Sequence, residues 1–150
     1  MDQEMGRIPV LSFSSFGFKY GMPKDVNFLF DVRFLRNPFY VPELKPLSGR
    51  DEPVRQYLSS FPEMLEFLNS CESFLKPVVG AFLDRGRDVH VAFACTGGRH
   101  RSVFCAEGLF ERFRASLATP LVPAPVEIFH RDIDKYENKY EDKYKTGESL

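Results

Sequence analysis

One stretch constrains the fold more than any other. DVHVAFA, from Asp88, is an apolar run of strand length, and CTGGRHR follows with two adjacent glycines. From Ser102 to about Ser116, Val103, Ala106, Leu109, Phe110 and Phe113 then recur at helical spacing. Strand, tight turn and amphipathic helix together make the unit of a parallel sheet, because only a crossover can return the chain to start a second parallel strand. The rest of the chain supplies neighbours for that unit. Ile8, Val10 and LSFSSFGF alternate as a strand that stops at Tyr20-Gly21-Met22-Pro23. VNFLFDVRF, residues 26–34, reads as a strand buried on both faces. Ser60 and Glu63 form a capping-box pair ahead of a helix whose inward positions are Met64, Phe67, Leu68, Cys71, Phe74, Leu75, Val78 and Phe82. Pro77 is expected to kink or split that helix. After a TPLVPAP loop, VEIF is a last short strand. The expected fold is α/β: a single domain with a small, mainly parallel sheet flanked by helices, and an anion-binding loop after the third strand.

Prolines at 38, 42, 46 and 53 predict a long loop without regular structure, of the kind that is functional or mobile, and the sequence leaves open whether the stretch from Asn37 to Pro53 closes over a ligand. Residues 1–7 read as a flexible N-terminus and 8–131 as the folded domain. Residues 132–150 read as a charged tail in which Tyr136, Tyr140 and Tyr144 recur every four residues.

The chain has 150 residues, enough for one core without disulfide or metal. Its 20 Lys+Arg against 21 Asp+Glu argue against both a globally basic nucleic-acid binder and an acidic disordered chain. There is no apolar run near membrane-spanning length and no basic-then-apolar leader, and Cys71, Cys95 and Cys105 are an odd number of cysteines. The expectation is a cytoplasmic protein with free thiols and no membrane partner.

The chemistry concentrates in CTGGRHRS. Gly97 and Gly98 let backbone approach a ligand, and the amides that open the following helix are unpaired and carry the positive end of its dipole. Thr96 and Ser102 add hydroxyls, while Arg99, His100 and Arg101 add up to three positive charges. These are the parts of a phosphate pocket. In a parallel sheet, ligands sit beyond the carboxyl ends of the strands. Those ends deliver Lys19, then Arg33 and Arg36, then the CTGGRHR turn, then His130 and Arg131. The expected set has Thr96, Gly97, Gly98, Arg101 and Ser102 on the phosphate and Lys19, Arg33, Asn37 and His130 on the remainder. No metal or cofactor is expected.

The segments FGFKYGMP (16–23), DVRFLRNP (31–38), PELKPLSG (42–49), CTGGRHRSV (95–103) and HRD (130–132) closely resemble, in order, the C-terminal domain of the RapZ family. The resemblance covers residues 10 to 135 or so. It implies an α/β domain that binds a phosphorylated amino sugar, glucosamine-6-phosphate, and self-associates. In bacterial adaptor proteins it also implies binding of small regulatory RNA. Two features depart from the family. The Walker A loop of its N-terminal nucleotide-binding domain is missing here, and Phe39 stands where the family usually has His.

A second reading comes from the residues themselves. Cys95-x-x-Gly98-x-x-Arg101-Ser102 fits the phosphate loop of cysteine-dependent phosphatases, with Cys95 as nucleophile and Arg101 on the phosphoryl oxygens. Ala94 stands where that loop usually has His, and only Asp31 and Asp132 are placed to serve as general acid. The favoured expectation is a non-catalytic binding domain for a phosphosugar, acting as sensor or adaptor. Phosphatase and RNA-adaptor readings are the alternatives.

Overall fold

The computed structural model describes residues 7–117 and 124–135. Four strands, β1 (Leu11–Gly17), β2 (Phe28–Asp31), β3 (Val89–Cys95) and β4 (Val126–His130), form one sheet in the order β2-β3-β1-β4. Every adjacent pair is parallel. Three helices connect them: α1 (Glu52–Ser59), α2 (Pro62–Asp84) and α3 (Arg101–Leu117). The tail tyrosines Tyr136, Tyr140 and Tyr144 lie outside the described residues.

Handedness explains the layering. The crossings from β2 to β3 and from β3 to β4 move the same way across the sheet, so right-handed connections put their helices on one face. The step from β1 to β2 moves the opposite way, so its short connection, residues 18–27, belongs on the other face. There Phe18 and Val26 pack on Phe16, Ala92 and Ala94. The main core lies beneath the helices, where Leu11, Phe13, Val91 and Phe93 meet Leu75, Leu109 and Phe113. The Phe13 and Phe113 ring centroids are 5.4 Å apart.

Three local expectations are corrected. β2 is a four-residue edge strand, so the continuous run at 26–34 is only partly ladder. Its phenylalanines turn toward α2, Phe28 against Phe74 and Phe82 and Phe30 against Phe67, while Leu29 joins the opposite cluster. The Ser60–Glu63 box does not form. Ser60 ends the unforeseen helix α1, its N–H bonding Gln56 O and its hydroxyl donating to Tyr57 O, and Phe61 precedes α2 instead. Pro53 lies in the first turn of α1, where a missing N–H costs nothing. Finally, α2 is not split at Pro77. Pro77 and Ser73, whose carbonyl loses its intrahelical donor, both face solvent, so water can satisfy that carbonyl.

Candidate functional site

Parallel pairing brings all four strand ends to one edge, with Gly17 opposite Cys95, Asp31 opposite Ala94 and Ser15 opposite His130. The turn after β3 is pressed into that edge by glycines. A side chain at Gly98, whose φ is +73°, would come within 2.5 Å of Gly17 N. One at Gly17 would come within 2.5 Å of Gly97 C. The glycine pair therefore lets two backbones touch, and Gly17, which the sequence reading did not single out, is half of that contact. Lys19 N donates to Thr96 O at 3.2 Å, which ties the turn to the end of β1.

The three basic residues that follow have different fates. Arg99 donates to the carbonyls of Leu47 (2.9 Å), Pro46 (2.8 Å) and Ile133. His100 is buried, with Nε2 on Leu44 O at 3.2 Å, and burial pushes its pKa down to about 4. Gly49 N donates to Arg99 O, and a side chain at Gly49 would strike His100 O. Together these bonds fasten the Pro-rich segment to the turn. Arg101 is 5% exposed. Its Nη1 donates to Arg33 O at 2.8 Å and Leu35 O at 3.1 Å, but its buried Nε has no partner.

Beside Arg101 lies a half-exposed ion pair. Arg33 grips Asp31 through Nε (2.9 Å) and Nη2 (2.7 Å), and its guanidinium lies over the Phe18 ring at 4.2 Å. The bond to Arg33 holds the Asp31 carboxyl below the usual carboxylate range, and the Arg101 charge adds to that. Thr96 is exposed, whereas Ser102 is buried and receives the Cys95 thiol at 3.1 Å. The edge thus gathers Thr96, Gly97, Gly98, Arg101, Ser102 and Arg33.

Other expected residues go elsewhere. Arg36 pairs with Glu63 at 3.5 Å. The Asn37 side chain accepts from Phe39 N, and Lys45 lies over the Phe39 ring at 4.5 Å. His130 turns under the helices. Its Nε2–H donates to Glu107 at 2.7 Å, so its Nδ1 accepts from the Ser15 hydroxyl at 2.6 Å. Burial keeps its pKa low despite Glu107, so the neutral ring fits this pattern. Arg131 is held by Asp132 and Gly21 O, with its guanidinium 5.2 Å from the centre of the Phe16 ring. Lys19 and Lys135 both lie over Tyr20.

Asp132 is fully buried and accepts from Gly17 N, Arg131 and Lys135. Burial would raise its pKa, but these donors outweigh that and hold it low. Asp31 and Asp132 are thus both carboxylates near neutral pH. Neither carries the proton that a leaving group would need. The arrangement can attract and orient an anion. Among the described residues no His/Cys/Asp/Glu cluster suits a metal ion, and no helix is long and apolar enough to cross a membrane.

Comparison with known proteins agrees with the motifs. The family model described as the RapZ C-terminal domain matches residues 9–134. A protein of Aeromonas hydrophila named nucleotide-binding protein is 50% identical over 127 residues, covering 84% of this chain and 42% of that protein. A Clostridium acetobutylicum protein of like name is 46% identical over 141 residues, covering 91% and 46% respectively. One from Acidothermus cellulolyticus is 46% identical over 122 residues, covering 81% and 39%. The chain spans less than half the length of these curated relatives. On a family match across most of its length and on these identities, the chain belongs to the RapZ C-terminal domain family.

Proposed function

We propose that this domain binds a phosphorylated small molecule, without transforming it, where β1, β2 and β3 end and α3 begins. Arg101 carries the reading. Its guanidinium is buried, and among the described residues it has no carboxylate partner and its Nε meets no acceptor. An unsatisfied buried donor costs about 1–3 kcal/mol, more when charged, and a phosphate oxygen offsets that cost. Thr96 and the first amides of α3 are the natural further donors, with Gly97 and Gly98 keeping the approach open. Arg33, Lys19 and Arg131 add positive charge around the rim. Asn37 and His130, engaged as described, leave the rest of the ligand to the rim residues.

A phosphosugar such as glucosamine-6-phosphate is the favoured ligand, in keeping with the family, and a sensor or adaptor role in the cytoplasm follows from binding without turnover. The relatives' name, nucleotide-binding protein, makes a nucleoside monophosphate the necessary comparison. Turnover by Cys95 is disfavoured because the residue is buried and the two nearby acids are ionised. RNA is a second reading. It is favoured by cations lying over the half-buried rings of Phe18 and Tyr20, where bases could stack.

Calorimetry with glucosamine-6-phosphate, a nucleoside monophosphate and inorganic phosphate tests the proposal. Arg101→Ala is expected to weaken phosphate binding at least tenfold, since charged hydrogen bonds contribute roughly 1.5–3 kcal/mol each. Equal affinities in a folded variant would remove Arg101 from the site. A gel shift across a salt series tests RNA, whose binding must weaken steeply with salt.

A further inference from the structure

Three carboxylates stand near this edge, and they differ in freedom. Asp132 is sealed and held by several donors, and Glu107 is tied to His130 and Arg50. Asp31 alone of the three pairs with a neighbour two residues away, in solvent, its side chain 45% exposed. It is also a negative charge that both arginines proposed to meet the phosphate feel, in contact with Arg33 and within electrostatic reach of Arg101.

We propose that Asp31 is a built-in competitor of the ligand: its carboxylate holds the Arg33 fork and yields it to a phosphate group. This rests on the phosphate-binding reading above. Exposed ion pairs are weak and readily exchanged, so the swap costs little. Phe18 makes the swap orderly, because its ring beneath the guanidinium at 4.2 Å keeps Arg33 in plane while the partner changes. A carboxylate-bearing ligand would gain nothing by replacing one carboxylate with another. A phosphate dianion with more acceptor oxygens gains, so the pair biases the site toward phosphate.

The test is calorimetric titration of inorganic phosphate and of glucosamine-6-phosphate into the 150-residue chain and its variants. Asp31→Asn is expected to bind inorganic phosphate about three- to fivefold more tightly, the range an exposed pair allows. Arg33→Gln is expected to bind it more weakly, and the double variant to show none of the gain, because the competition is for Arg33. If Asp31→Asn binds inorganic phosphate unchanged or more weakly while Arg101→Ala still reduces binding, the competitor is overturned and the site stands. Loss confined to glucosamine-6-phosphate would make Asp31 a direct acceptor for the sugar and likewise overturn it. Phosphate binding that ignores Arg101, or is absent from the wild type, would overturn the site and the competitor together.

Discussion

Two polar clusters are built from the same materials at the same sheet edge, and they differ in completeness. Under the helices, Ser15, His130, Glu107 and Arg50 form a chain of hydrogen bonds in which both ring nitrogens and the carboxylate have partners. Where β2 and β3 end, Arg101 is buried yet its Nε has no partner among the described residues, and its neighbour Arg33 is held by a solvent-exposed carboxylate and the Phe18 ring. Both clusters hold a cation, a carboxylate and a strand end. A closed network spends its donors on the fold; an open one holds donors for something outside it.

The contrast can be broken by measurement. The largest expected effect belongs to the closed side and to His100, whose bond to Leu44 O helps fasten the Pro-rich segment. Its folded-state pKa of about 4 lies below the ordinary 6.5, so as pH falls the unfolded chain takes up the proton first. Stability from this group is whole above about pH 6.5 and declines until about pH 4, by about 3 kcal/mol in all. Urea midpoints from pH 7.5 to 4 should show this loss, and a flat profile would mean that His100 is not held neutral. Next in size is Glu107→Ala, which orphans His130 and is expected to cost about 1–3 kcal/mol in urea unfolding. Phosphate affinity should not change. A loss of affinity without loss of stability would put the closed network in the site and erase the distinction drawn here. The smallest effects are those of the Asp31 and Arg33 variants on phosphate binding.

How much of this was legible follows the same line. The parallel sheet was, because β3 and α3 each present a full period of apolar residues around a glycine turn, and parallel pairing then gathers the cationic strand ends. Helix α1 was not. Eight residues with Val54 and Leu58 as the buried pair give one repeat, too little to outweigh the surrounding prolines. The separate fates of Arg99 and Arg101 were also hidden. Two residues of identical chemistry part because Arg99 meets the carbonyls of 46 and 47 while Arg101 meets those of 33 and 35. That is set by the tertiary path of a loop with no periodicity. His130 sits at a strand end as expected, but the parity of β4 turns its ring onto the helix-covered face of the sheet, against Glu107. The prolines of the Asn37–Pro53 stretch predict a loop without regular structure but say nothing of the bonds by which Arg99, His100 and Gly49 tie it to the turn.

The most direct test is a crystal grown in high phosphate. The account requires an anion within hydrogen-bond distance of Arg101 Nε, also touching Thr96 or the first amides of α3. An anion bound only at other basic residues, with Arg101 Nε still facing no anion at saturating phosphate, would contradict it.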